Sequence, residues 1–116
     1  VTGAVIVTTP QEVSLIDARK GLKMFEKVEI PILGIVENMS THICSNCGHE
    51  EHIFGHGGVA KEAQKMGVPL MGEIPLHLDI RTAADGGAPI VVSAPNSPQA
   101  QVFRDIAKKL IADGQA

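Results

Sequence analysis

IPILGIVENMS, residues 30–40, contains the run that decides the fold. Between Pro31 and Glu37 lies ILGIV (32–36), five apolar residues with no polar alternation. A strand with one wet face alternates apolar and polar side chains. An unbroken apolar run bounded by Pro and a charge instead fits a strand covered on both faces, as in a parallel sheet under helices. Two more such runs, AVIVT (4–8) and LMGEI (70–74), are also bounded by Pro or Gly.

Helical patterns separate these runs. Thr9-Pro10-Gln11-Glu12 reads as a capping box with Pro at the first helical position, opening a helix with Leu15, Ala18, Leu22 and Phe25 on one face. A second helix is expected from near Gly58, burying Val59, Ala63 and Met66 and stopping at Gly67. Ser97 is expected to cap a third that starts at Pro98, with Val102, Phe103, Ile106, Ala107, Leu110 and Ile111 as its stripe. A weaker helical turn spans Asp79–Asp85. The order β-α-β-loop-α-β-α gives an α/β fold, a layered parallel sheet with flanking helices, as one domain over residues 1–116. In such sheets ligands sit beyond the carboxyl ends of the strands, here Thr8-Thr9, Glu37-Asn38 and Pro75-Leu76.

Composition removes several function classes. The chain has three Phe and neither Tyr nor Trp, and its net charge is −3, so it offers neither stacking platform nor phosphate-tracking surface for nucleic acid. No apolar run reaches bilayer length and no signal pattern opens the chain, so the expectation is a cytoplasmic protein without a membrane anchor. Thiols stay reduced in that compartment, and a C-x2-C pair there points to metal or redox chemistry. Val1-Thr2-Gly3 runs directly into the first strand, so the chain reads as a piece of a longer one.

The segment after the second strand, NMSTHICSNCGHEEHIFGHGG (38–58), holds both cysteines and four of the five histidines. Two intervening residues let Cys44 and Cys47 face one metal, and thiolates suit zinc and iron–sulfur clusters. Zinc requires four ligands, so His42, His49, His52 and His56 are candidates to complete a Cys2His2 set, although His52 and His56 begin only a short loop beyond Cys47. A dithiol–disulfide pair is a further reading, but such pairs favour helix N-termini, and this one precedes a Gly-rich stretch. Gly55-x-Gly57-Gly58 lacks the Lys-Ser/Thr of a phosphate loop and reads as a tight turn into the helix. His77 is expected to be exposed, and Glu50, Glu51, Asp79 and Asp85 to be solvated charges or caps.

GAVIVTTPQEVSLIDARKGLKMF (3–25), IPILGIVENMS (30–40), CSNCG (44–48), IFGHGG (53–58) and GEIPLHLDIR (72–81), in this order, resemble the carboxyl-terminal half of the Mrp family. These are P-loop ATPases that act as iron–sulfur cluster carriers, related to the MinD group. The likeness runs from about Gly3 to Leu110. It implies the carboxyl-terminal half of a P-loop NTPase fold and a homodimer that hands its cluster to apo iron–sulfur proteins. Cys44 and Cys47 match the family's metal-binding pair. Two subunits would then supply the four thiolates of a [4Fe–4S] cluster, with no need for the histidines. Asn38 matches the asparagine that reads the adenine edge, and the turn through Pro75 and Leu76 would line the base with its backbone. The phosphate loop and the magnesium-binding acidic segment, on which ATP hydrolysis depends, lie upstream in the family and have no counterpart in this chain. Catalytic residues are therefore assigned to none of its positions, and ATP and magnesium belong to the parent protein. A zinc-binding structural or interaction module using Cys44, Cys47 and nearby histidines is the alternative, and a noncatalytic nucleotide-binding regulator with incidental thiols a third.

The 116-residue chain alone should show no ATP turnover. Asn38 contributes at most two hydrogen bonds to a base, each worth about 1 kcal/mol net, and nothing here grips a triphosphate. A phosphate-release assay above a mock preparation tests this, and steady turnover contradicts it.

Overall fold

The computed structural model describes residues 2–55 and 57–112. Three parallel strands, β1 (Ala4–Thr8), β2 (Ile32–Glu37) and β5 (Leu70–Glu73), form a sheet in the order β1-β2-β5. A two-residue pair, β3 (His42–Ile43) with β4 (Glu50–Glu51), makes a separate antiparallel hairpin. The helices are α1 (Glu12–Lys27), α2 (Gly58–Met66), α3 (Leu78–Asp85), α4 (Ile90–Ser93) and α5 (Pro98–Ala112). The fold is that expected from the apolar runs, a parallel sheet flanked by helices.

Alternate residues of β2 explain its unbroken apolar character. Ile35 joins a core of Ile6, Leu15, Ala18, Leu22, Val59 and Ala63 under α1 and α2. Its neighbour Val36 joins Met71 and Ile74 on the other face, covered by Val102, Phe103, Ile106 and Leu110 of α5 and by Ile80 of α3. Ile35 and Val59 are fully buried, which contributes about 2 kcal/mol each. Gly72 lets α5 approach: a Cβ there would lie 2.6 Å from Cγ1 of Ile106.

The first helix differs from its expected start. It begins at Glu12 with Gln11 as N-cap and no side-chain cap, so Pro10 lies outside it. The Thr9 hydroxyl donates instead to Oε1 of Gln11 at 3.0 Å, and the Thr9 N–H donates to Ser14 Oγ at 3.1 Å. These local bonds take the partners that a capping box would have used. Phe25 is only half-buried, whereas Leu15, Ala18 and Leu22 are buried. Helix α2 ends as expected, with Gly67 left-handed at φ 70° and its N–H on Gln64 O at 3.3 Å. Ser97 caps α5 through its hydroxyl, which accepts the Ala100 N–H at 3.2 Å. Ala107 and Ile111 are exposed, so the apolar stripe of α5 is narrower than its sequence suggests. The short helix α4 had no counterpart in the sequence reading.

Among the described residues β1 pairs only with β2, leaving its outer edge open. Val7 on that strand is 61% exposed. An apolar edge with free amides and carbonyls templates pairing with another chain. Sedimentation velocity across a concentration series should show association of the chain, and Val7→Lys should suppress it. A chain that stays monomeric at every concentration contradicts this reading of the edge.

Candidate functional site

The β2–β5 pairing does not stop where the two strands end. Ile74 N–H donates to Glu37 O at 2.7 Å, and Ile74 O accepts the Ser40 N–H at 3.0 Å. Further on, Leu76 N–H donates to Thr41 O at 2.7 Å and Ile43 N–H to Leu76 O at 3.2 Å. Glu37 thus pairs with Glu73 and His42 with Leu76, so Asn38–Thr41 oppose only Ile74 and Pro75. The surplus residues form a bulge, with Met39 exposed and Ser40 buried. Met39 takes a left-handed backbone, φ 53°, which costs a non-Gly residue about 1 kcal/mol. Asn38 Oδ1 supports it by accepting the Met39 N–H at 3.0 Å. Bulges of this kind re-aim side chains beside functional sites.

The bulge forms one wall of a cavity of about 250 Å³, lined by Asn38, Met39, Pro75, Leu76, His77, Ile80 and Arg81. The three residues assigned from sequence to a nucleotide base, Asn38, Pro75 and Leu76, therefore meet at one cavity. With Oδ1 engaged by Met39, the Asn38 amide keeps its NH2 donors for an acceptor in the cavity. His77 corrects its sequence reading. It is buried, not exposed, and its Nδ1 accepts the Asp79 N–H at 3.0 Å as the N-cap of α3. Histidine is an uncommon cap, so no sequence signal marked it. The lining residues Met39, Ile80 and Arg81 were also missed, since nothing in their spacing announces a cavity.

The cysteine segment, expected as a loop between the second strand and the second helix, contains a small hairpin. Cys44 N–H donates to His49 O at 3.0 Å and Gly48 N–H to Cys44 O at 2.9 Å, with Gly48 left-handed at φ 75° to close the turn. Cys44 is half-buried and Cys47 exposed, and both thiols are free. The backbone N–H of Cys47 chiefly, then that of Asn46 and the Cys47 thiol, with a smaller contribution from Gly48, hold the Cys44 thiol below its ordinary pKa against some desolvation. That favours the thiolate, the form that binds metal.

Among the described residues the histidines form no metal-holding group with these thiols. His49 lies 3.4 Å from Glu51, and His56 falls outside the described residues. Among the described residues no group of three His, Cys, Asp or Glu side chains is arranged to hold a metal ion. Glu50, Glu51, Asp79 and Asp85 are exposed, as expected. Among the described residues two other carboxylates are buried, which the sequence did not indicate. Glu62 on α2 is paired with Arg19 of α1, whose hydrogen bond holds the carboxyl below its usual range against its burial. Glu37 stands at the end of β2 beneath the bulge.

Comparison with known proteins gives the family and the fold. Residues 1–111 match the family model described as ParA, NUBPL iron-transfer P-loop NTPase. The iron-sulfur cluster carrier protein of Salmonella typhimurium is 58% identical over 112 residues, 97% of this chain and 30% of that protein. The iron-sulfur cluster transfer protein NUBPL of Dictyostelium discoideum is 53% identical over 110 residues, 95% of this chain and 34% of its own length. The chain thus spans about a third of these relatives. Among solved structures, the cell division ATPase MinD of Pyrococcus furiosus superposes with a TM-score of 0.72 at 26% identity, covering 96% of this chain and 43% of that one. A nucleotide-binding protein from Archaeoglobus fulgidus in complex with ADP gives 0.68 at 35% identity, covering 88% and 41%. No helix among the described residues is long and apolar enough to cross a membrane.

Burial, then the neighbouring Glu73 carboxylate, raises the Glu37 pKa, with His52 opposing. The native state then binds this proton more tightly than the unfolded chain. Stability falls as pH rises from the ordinary glutamate range through the raised value, and the loss persists above it. Glu37→Gln removes this component, so urea midpoints of the variant should decline less than those of the wild type between acid and neutral pH. Parallel profiles contradict the assignment.

Proposed function

Because the chain belongs to the NUBPL iron-transfer P-loop NTPase family of the ParA group, we propose that it is the cluster-holding and base-binding part of an iron–sulfur cluster carrier. The observation that carries this reading is the pair of accessible thiols at the tip of one hairpin, with three backbone N–H groups lowering the pKa of Cys44. A [4Fe–4S] cluster takes four thiolates, and one chain offers two. Two hairpins from a homodimer therefore share the cargo, each contributing Cys44 and Cys47. A cluster held at an exposed tip is open to thiolates of an acceptor apoprotein, which replace the carrier's sulfurs one by one as it passes across.

The cavity beside Asn38, Pro75 and Leu76 takes the adenine base of ATP, with the Asn38 amide donating to a ring nitrogen. Phosphoryl transfer itself needs a phosphate-binding loop and magnesium, which the whole protein would supply. The chain's contribution to ATP use is to orient the base. A Cys2His2 zinc site is disfavoured because no second pair of ligands stands near the thiols among the described residues. It also leaves the family membership unexplained.

Anaerobic reconstitution with iron and sulfide, followed by ultraviolet–visible absorption, tests the reading. The wild type should develop broad brown bands. Cys44→Ala or Cys47→Ala should abolish them together with any cluster-dependent dimer. Changing His42, His49, His52 and His56 together to Asn should leave both intact. Loss of metal from a folded histidine variant would favour zinc and overturn the cluster assignment.

A further inference from the structure

The proposed base cavity and the cysteine hairpin share a single piece of backbone. Leu76 lines the cavity, and its N–H and C=O bond to Thr41 and Ile43, the latter directly before Cys44. On the opposite side Asn38 and Met39 line the same cavity, and Ser40 follows at once. Ser40 is buried and donates twice to one acceptor, through its N–H at 3.0 Å and its hydroxyl at 3.2 Å, both to Ile74 O. This pair of hydrogen bonds lies between the bulge that carries Asn38 and the regular pairing that carries the hairpin. A serine at this position satisfies no cap and closes no turn. Its hydroxyl serves to hold the bulged chain against the strand that leads into Pro75 and Leu76.

From this geometry we infer that Ser40 is a positioning residue that couples the base cavity to the cysteine pair. A base that draws Asn38 and Leu76 toward one another across the cavity tightens the Leu76–Thr41 and Ile43–Leu76 bonds and so orders the hairpin that presents Cys44. Met39 lies between Asn38 and Ser40, its left-handed backbone held by Asn38 Oδ1, so the cavity wall and the bulge share one support. The inference rests on the base-binding reading above and adds to it a path of named bonds from base to thiol. Coupling of this kind is reciprocal: each ligand changes the other's affinity by the same factor.

Adenosine probes the cavity and cobalt(II) the thiols, whose sulfur-to-cobalt absorption reports binding. In the wild-type chain, saturating adenosine should slow hydrogen exchange at the Leu76 and Ile43 amides. It should also tighten cobalt(II) binding by about fivefold, with cobalt(II) tightening adenosine equally. Ser40→Ala, which keeps the N–H bond and loses the hydroxyl, should still bind each probe but bring that factor close to one. Both probes binding the wild type independently, or an undiminished factor in Ser40→Ala, overturns the coupling and leaves the base-binding reading standing. Absence of any adenosine-induced shift at Asn38 and Met39 overturns the base-binding reading and the coupling with it. If Ser40→Ala does not fold, Ser40→Gly, which also removes the hydroxyl, takes its place, and an undiminished factor there overturns the role of Ser40.

Discussion

The hydrogen bonds between Leu76 and the segment Thr41–Ile43 are the constraint on which the functional rim depends. Without them the chain after Ser40 would leave the sheet as a free loop, and the hairpin would have no fixed place. Their formation requires that β5 be held in register with β2. That register depends in turn on burying Ile35 and Val36 on opposite faces and on the close approach of α5 at Gly72. Each parallel hydrogen bond is worth only about 1 kcal/mol net, so the apolar layers supply most of the stability and the ladder supplies the geometry.

A strand extension of this kind suits the proposed carrier role. Cargo must be held by ligands that an acceptor can displace, which favours thiols at an exposed tip over a closed cage. A two-residue hairpin is marginal by itself, and the His42–Leu76 bridge ties this one to the sheet. The site is thus mounted on a rigid core through a thin connection, which leaves room for its ordering to respond to what occupies the cavity.

The layered architecture was legible from the three apolar runs, although only β2 is buried on both faces and Val7 of β1 is exposed. Gly67 and Ser97 were legible as helix boundaries because each performs a local task that few residues perform. The residues that shape the site were harder to see. Met39 gains its left-handed conformation, and Ser40 its buried pair of hydrogen bonds, from a register mismatch between distant strands. His77 caps a helix in a role rarely given to histidine, and Glu37 is a charged residue buried at the carboxyl end of an apolar strand. Cys44 and Cys47 stood out at once through their spacing, but spacing alone left zinc, redox and cluster readings open. The ordered set of motifs and the family match narrowed that choice.

Iron and acid-labile sulfide content, measured with the molecular mass of the anaerobically reconstituted chain, tests the central claim most directly. The account predicts about four iron and four sulfide per two chains, in a species of twice the chain's 12.2 kDa mass. A monomer holding one zinc and no sulfide would contradict it.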